Sequence, residues 1–260
     1  MTQSRVYMRF TWEKSDNPLA IKFRRQYDLD SVVKSAKDEY EKQLLLKSWV
    51  HKSLQSGNPQ KDYSRVNAFE IMDDAIKGKR FWCTQYAQLY LQSGVALGFY
   101  TRKLGVDSED PKTDMHHGVT DIWSSKFEKW YVVDAQNNLH FEKDGIPLNA
   151  LEIRREYIHD KGCRIKGVVG NHEKQVQFNS NSTGYNSPSN YFWFFISLRN
   201  NFFERPGLYD TKALLWIDTY NKDKVWMRGG KKEKKLYPHP MYKSQFVQTS
   251  SIAECFPGMK

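Results

Sequence analysis

Cys83, His117 and Asp134 are the residues whose types and order suit them to chemistry. Cys83 stands in Gly78-Lys79-Arg80-Phe81-Trp82-Cys83-Thr84-Gln85-Tyr86-Ala87, where a glycine and an aromatic pair lead into a helix that starts at the thiol. His117 stands in Met115-His116-His117-Gly118-Val119-Thr120-Asp121-Ile122-Trp123, and Asp134 closes Lys129-Trp130-Tyr131-Val132-Val133-Asp134. A thiol, an imidazole to take its proton and a carboxylate to orient the imidazole are the parts of a nucleophilic cysteine site. Taken singly, each has a blander reading. A buried cysteine is usually a small core hydrophobe, a histidine at a strand start is usually structural, and an aspartate closing a strand is usually a turn cap. Their combination in this order favours the chemical reading. His116 competes for the role of base, because a one-residue slip in a strand exchanges the two imidazoles.

The elements that must position these groups follow from hydrophobic period. Cys83, Tyr86, Ala87, Tyr90, Leu91 and Gly94 recur at helical spacing, which places the thiol inward at a helix N-terminus. There the helix dipole and the unpaired N–H groups favour a thiolate and can hold an oxyanion. Phe99 to Leu104 reads as a short strand. Gly118 to Trp123 and Lys129 to Asp134 read as a hairpin turning at Ser124-Ser125-Lys126. Antiparallel pairing then puts His117 beside Asp134, and a helix packed on that sheet can bring Cys83 to the imidazole.

These strings resemble the transglutaminase-like core, a branch of the papain-like cysteine fold, and especially bacterial members of unassigned substrate. The resemblance rests on Gly-x-x-x-x-Cys-x-x-Tyr-Ala, Leu97-Gly98 with Arg102 after it, His-x-x-x-Asp-Ile-Trp and Trp-x-x-x-Asp. It runs from about Asp38 to Tyr157, with Leu44 to Val50 similar to the upstream helix and Leu148 to Arg154 to the closing segment. It implies Cys83 as nucleophile, His117 as general base and acid, and Asp134 as the orienting residue. It also implies a peptide or protein amide as substrate. Gly118-Val119 departs from the Ala-Trp that often follows the histidine. Trp82, Trp123 and Trp130 are the expected substrate-binding residues. The rival reading is a catalytically inactive peptide- or glycan-binding module on the same fold.

Composition bounds the rest. With 260 residues the chain is long enough to bury a full core. A mean hydropathy of −0.75 predicts a soluble globular protein. Neither a membrane span nor an apolar signal region is expected. That reading leaves a cytoplasmic protein, or a secreted or periplasmic one whose signal peptide has been removed. Three cysteines cannot all pair, although a Cys163–Cys255 bridge is open to them. Without CxxC, HExxH or a glycine-rich phosphate loop, no metal site or cofactor is expected.

Val6 to Trp12 reads as a strand. Asp38 with Glu41, and Asn67 with Glu70, read as helix starts, with Leu45, Leu46, Trp49 and Val50 as the first helix's apolar stripe and Gly78 as the second helix's stop. Helices before the thiol and strands after it give an α+β class. The expected division is a core over 1–178, a loop over 179–190 and a β-rich region over 191–260, which either extends the core or completes its sheet. Asn221 to Lys243 carries +6 of the net +10 charge. Its Gly229-Gly230 and Lys231 to Lys235 read as a solvated hairpin tip, with an anionic partner as the functional alternative.

Overall fold

The computed structural model describes residues 10–63, 67–110, 115–207, 212–224, 226–228, 235–237 and 246–259, the backbone alone for 226–228 and 235–237. Helices come first. α1 (Pro18–Gln26), α2 (Leu29–Val32), α3 (Glu39–Ser53), α4 (Ala68–Ile76) and α5 (Cys83–Ala96) are interrupted only by the two-residue strands β1 (Gln55–Ser56) and β2 (Arg80–Phe81). The expected starts are present: Asp38 Oδ1 accepts the Glu41 N–H at 2.8 Å, and Asn67 caps Phe69 and Glu70. Glu41 reaches back one residue further than expected, to the Lys37 N–H. Gly78 at φ +74 follows the end of α4, a conformation that suits glycine.

Strands follow: β3 (Thr101–Asp107), β4 (His117–Ser124), β5 (Lys129–Asp134), β6 (Leu139–Lys143) and β7 (Ile146–Pro147). After α6 (Ala150–Asp160) come β8 (Lys166–Val169), β9 (Lys174–Gln177), a 3₁₀ turn (Pro188–Tyr191), β10 (Trp193–Ser197) and β11 (Ala213–Trp216). β12 (Trp226–Arg228), β13 (Lys235–Tyr237), β14 (Phe246–Thr249) and α7 (Ile252–Cys255) complete the order. The chain is therefore α+β. One large mixed sheet runs β14-β11-β10-β3-β4-β5-β6-β8-β9, with β7 on β6. Only its β11–β14 pair is parallel among the described residues.

The two faces of this sheet bury separate cores. On one, Ile122, Tyr131 and Val133 pack with Leu44, Leu46, Val50, Leu89 and Tyr90 from α3 and α5. On the other, Leu104, Val119, Val132 and Phe141 pack with Leu151 and Ile153 of α6 and with Tyr191. Thr120 Oγ1 donates to the Ala87 carbonyl at 3.0 Å, which ties α5 to β4.

Several expectations need correction. In α3, Leu45 and Trp49 are only half-buried, whereas Leu44 and Lys47 are enclosed. The strand expected from Phe99 starts at Thr101, because Gly98 at φ +87 keeps Phe99 and Tyr100 in the turn after α5. As to the two alternatives open for 191–260, β10 lies against β3, and β11 and β14 continue that sheet, whereas β12 and β13 pair separately. Cys163 and Cys255 are both free thiols, one exposed and one buried, which rules out the bridge. Of the Val6–Trp12 strand, residues 6–9 lie outside the described residues, and Thr11 makes a single bridge to Arg199. β12 and β13 pair as an antiparallel hairpin, but the tip with Lys231, Lys232 and Lys234 lies outside the described residues.

Candidate active site

Cys83 is the first residue of α5, after Trp82 in extended conformation at the N-cap. The Gln85 side chain accepts the Trp82 N–H at 3.2 Å, so the first turn is held from both ends. The register of β4 on β5 places Val119 opposite Asp134, by the pairing that sets Thr120 against Val133. His117 and Asp134 are thus diagonal neighbours on one face. Their side chains meet, His117 Nε2 to Asp134 Oδ2, at 2.8 Å, with both residues 1% exposed. Asp134 also accepts the Asn137 N–H at 3.1 Å and the Asn137 Nδ2 at 2.7 Å. The carboxylate therefore cannot rotate away without losing three hydrogen bonds.

The thiol and the His117 imidazole lie close enough to shift each other's proton affinity. Because Nε2 is engaged by Asp134, Nδ1 is the nitrogen left for the sulfur. The Gly118 N–H donates to Cys83 Sγ at 3.3 Å. Gly118 is the reason the helix end can come so close. A Cβ there would stand 3.3 Å from both Thr84 Cα and Thr84 Oγ1, tighter than ordinary contact. The departure from Ala-Trp after the histidine thus has a steric meaning in this chain.

Electrostatics follow from these contacts. Burial acts to raise the Cys83 pKa, but the hydrogen bond and charge of His117, helped by the Gly118 N–H, outweigh it and leave the thiol below its ordinary value. Burial likewise opposes the imidazolium, yet the Asp134 charge and hydrogen bond raise His117 to about 10. Burial raises Asp134 less than His117 and Asn137 lower it, so its pKa is depressed. The three groups favour a thiolate–imidazolium–carboxylate array.

The competing imidazole is elsewhere. His116 Nδ1 pairs with Asp107 Oδ1 at 3.0 Å, and its ring stacks on Phe195. Trp82 is 54% exposed at the site's rim, its Nε1–H donating to Asn58. The other two tryptophans are not at the site. Trp123 lies six residues along β4 from His117, roughly 20 Å at strand rise. Trp130 is its register partner and is fully enclosed. Trp130 instead covers the Arg102 guanidinium at 4.0 Å, and Arg102 holds Asp121 through two hydrogen bonds. Burial pushes Asp121 up to about 6 against that cation. The motif positions Arg102, Asp121, Trp123 and Trp130 thus build one structural unit at the far end of the hairpin.

Two contacts to the site escaped the sequence. Asn137 has no distinguishing signal in a polar turn. Tyr185 sits in the Asn- and Ser-rich loop and places its ring 5.8 Å from the His117 ring, half-exposed.

No family model and no curated protein matches the chain. Among solved structures it is similar to a provisionally assigned cysteine protease from Cytophaga hutchinsonii, with 17% identity and TM-score 0.37 over 45% of this chain and 37% of that one. It is similar to Legionella pneumophila LapG, treated with EGTA, with 16% identity and TM-score 0.35 over 54% of this chain and 77% of LapG. A provisionally assigned protease from Parabacteroides distasonis has 12% identity and TM-score 0.31, over 64% of this chain and 30% of that one. Likenesses of this size carry no argument about activity, which has to come from the site itself. No helix among the described residues is long and apolar enough to cross a membrane.

Proposed function

We propose that the protein carries out thiol-dependent acyl transfer or amide hydrolysis on a peptide or protein, with Cys83, His117 and Asp134 as a catalytic triad. The observation that carries this reading is the Cys83 thiol at a helix N-terminus, depressed in pKa by an imidazole that a buried carboxylate holds at 2.8 Å. A structural cysteine has no need of that arrangement, and Cys255, a buried thiol without it, is pushed up to about 12, chiefly by burial.

The steps follow the geometry. The Cys83 thiolate attacks the amide carbonyl carbon, a C–S bond forms, and the carbonyl electrons move to oxygen beside the α5 N-terminus. As the oxyanion collapses, the C–N bond breaks and His117 gives its Nδ1 proton to the leaving amine. Water, or an amine, then attacks the thioester with His117 as base, and the thiolate is released. Asp134 keeps Nδ1 aimed at sulfur and stabilises the imidazolium without taking its proton. Trp82 at the rim offers an apolar surface to the chain flanking the scissile bond.

Mass spectrometry after incubation with an activated ester or a glutamine-containing peptide tests this. One acyl adduct on Cys83, absent from Cys83→Ala, is expected. An added primary amine then separates the outcomes, amide product for transfer and free acid for hydrolysis. Adducts on Cys163 or Cys255 alone, or silence at all three thiols, would sink the proposal.

A further inference from the structure

A second cluster of ligating side chains lies outside the Cys83 site. His140 and Glu142 are two apart on β6, so both face α3. His172 comes from the turn between β8 and β9, and ligand atoms of all three residues lie within 4.8 Å of one another. Glu142 Oε1 is 2.8 Å from His140 Nε2 and 3.7 Å from His172 Nε2. The Tyr40 hydroxyl donates to the same carboxylate oxygen at 2.9 Å and stands 2.9 Å from His140 Nε2. His140 is fully buried and Glu142 nearly so, whereas the His172 side chain is 45% exposed. Two interior ligands and one at the solvent boundary give the cluster an entrance.

Hydrogen bonding alone accounts for Tyr40, His140 and Glu142. His172, a turn residue at φ +62, adds a second imidazole 3.7 Å from that carboxylate, its ring edge-on to those of His140 and Tyr40. Four donors around a tetrahedral zinc ion at about 2.0–2.2 Å stand roughly 3.3 Å apart. The 2.8 and 3.7 Å separations from Glu142 Oε1 bracket that value, and the two imidazole donors lie within 4.8 Å of each other. Two imidazoles and one carboxylate suit zinc and not calcium or magnesium, which take oxygen ligands.

We propose that His140, Glu142 and His172 form a zinc(II) site, with Tyr40 orienting the carboxylate and the fourth position open on the His172 side. The surroundings fit. With metal on Nε2, the His140 ring proton sits on Nδ1, which is 2.9 Å from the buried Lys47 Nζ. Lys47 Nζ also donates to the Gly170 carbonyl at 3.0 Å, so the outer face of the His140 ring is held in place. The ion joins α3, β6 and the β8–β9 turn, and β6 pairs Leu139 with Asp134, so it stiffens the strand beside the carboxylate of the first site.

The test uses the full chain with Cys83→Ala and Cys163→Ser, so that accessible thiols do not take the metal. Zinc chloride titrated calorimetrically should bind one to one and raise Tm, whereas magnesium and calcium should do neither. Cobalt(II) should give the visible absorption of a tetrahedral site. His172→Asn keeps a residue tolerant of positive φ and should weaken zinc binding by about 100-fold with the metal-free Tm unchanged. His172→Gly replaces it if the Asn chain does not fold. Absence of one-to-one binding, or zinc affinity unchanged by loss of His172, would overturn the site.

Discussion

At the scale of single residues, the proposed chemistry rests on how Asp134 and His117 act on the Cys83 proton. The thiol's pKa is lowered and the imidazole's raised, so iodoacetamide should alkylate Cys83 well below the pH range of an ordinary thiol. Asp134→Asn removes the charge that keeps the imidazole protonated. Cys83 should then titrate closer to an ordinary thiol, and alkylation near neutral pH should slow by about tenfold for each unit of upward shift. An unchanged pH profile in that variant would break the link between the two sites of charge. The same pair acts on stability. His117 has a pKa of about 6.5 when unfolded and about 10 when folded, so folding binds its proton more tightly. Its contribution is complete below about 6.5 and is lost as pH rises toward 10. Denaturant midpoints of the wild type and of His117→Gln should therefore converge across that window.

At the scale of elements, the site depends on the approach of one helix end to one strand start. α5 reaches β4 where β4 has a glycine, and the Gly118 N–H reaches sulfur because nothing stands between them. Gly118→Val should push Thr84 and the first turn of α5 outward. We expect Cys83 alkylation to slow at neutral pH and stability to fall by about 1–3 kcal/mol, measured by labelling rate and chemical denaturation. Unaltered labelling would show that the thiol's activation does not need this close contact. The helix starts were legible in the sequence because Asp38 and Asn67 cap locally. The placing of Lys47 was not, because a lysine on a helix is ordinarily solvated, and its enclosure is imposed by His140 and Gly170 from distant strands.

At the scale of the whole molecule, Glu13 and Pro257 tie segments far apart in the chain to the sheet that carries the site. The Glu13 N–H donates to Asn200 Oδ1, and Glu13 Oε2 accepts the Phe203 N–H at 2.8 Å and the Glu204 N–H at 3.3 Å. Asn200 Nδ2 in turn donates to the Thr101 carbonyl at the start of β3. Near the other end, the Pro257 carbonyl accepts the Trp130 Nε1–H, and β14 adds to β11. Glu13→Ala leaves two backbone N–H groups and the Asn17 side-chain amide without their acceptor and should cost about 1–3 kcal/mol. Because β10 and β11 belong to the core's sheet, urea unfolding should remain one transition with a lower midpoint. A second transition would mean that the C-terminal strands fold as a unit of their own.

The sequence by itself determined what short-range rules decide: the helix that begins at Cys83, the β4–β5 hairpin, and the nearness of His117 to Asp134, whose diagonal register the structure supplied. Each follows from a 3.6- or 2-residue period and from a turn. It left His116 and His117 in competition, and the tertiary structure separated them by pairing His116 with Asp107 and His117 with Asp134. Only the tertiary structure decided where the tryptophans serve. Trp130 resembles a binding residue in the sequence, but the Arg102–Asp121 pair and the C-terminal segment enclose it. Only the tertiary structure joined residues 191–260 to the sheet, brought Tyr185 over His117, and set His172 against β6. Those contacts link residues far apart in the chain, and no local preference encodes a partner that arrives from elsewhere in the fold.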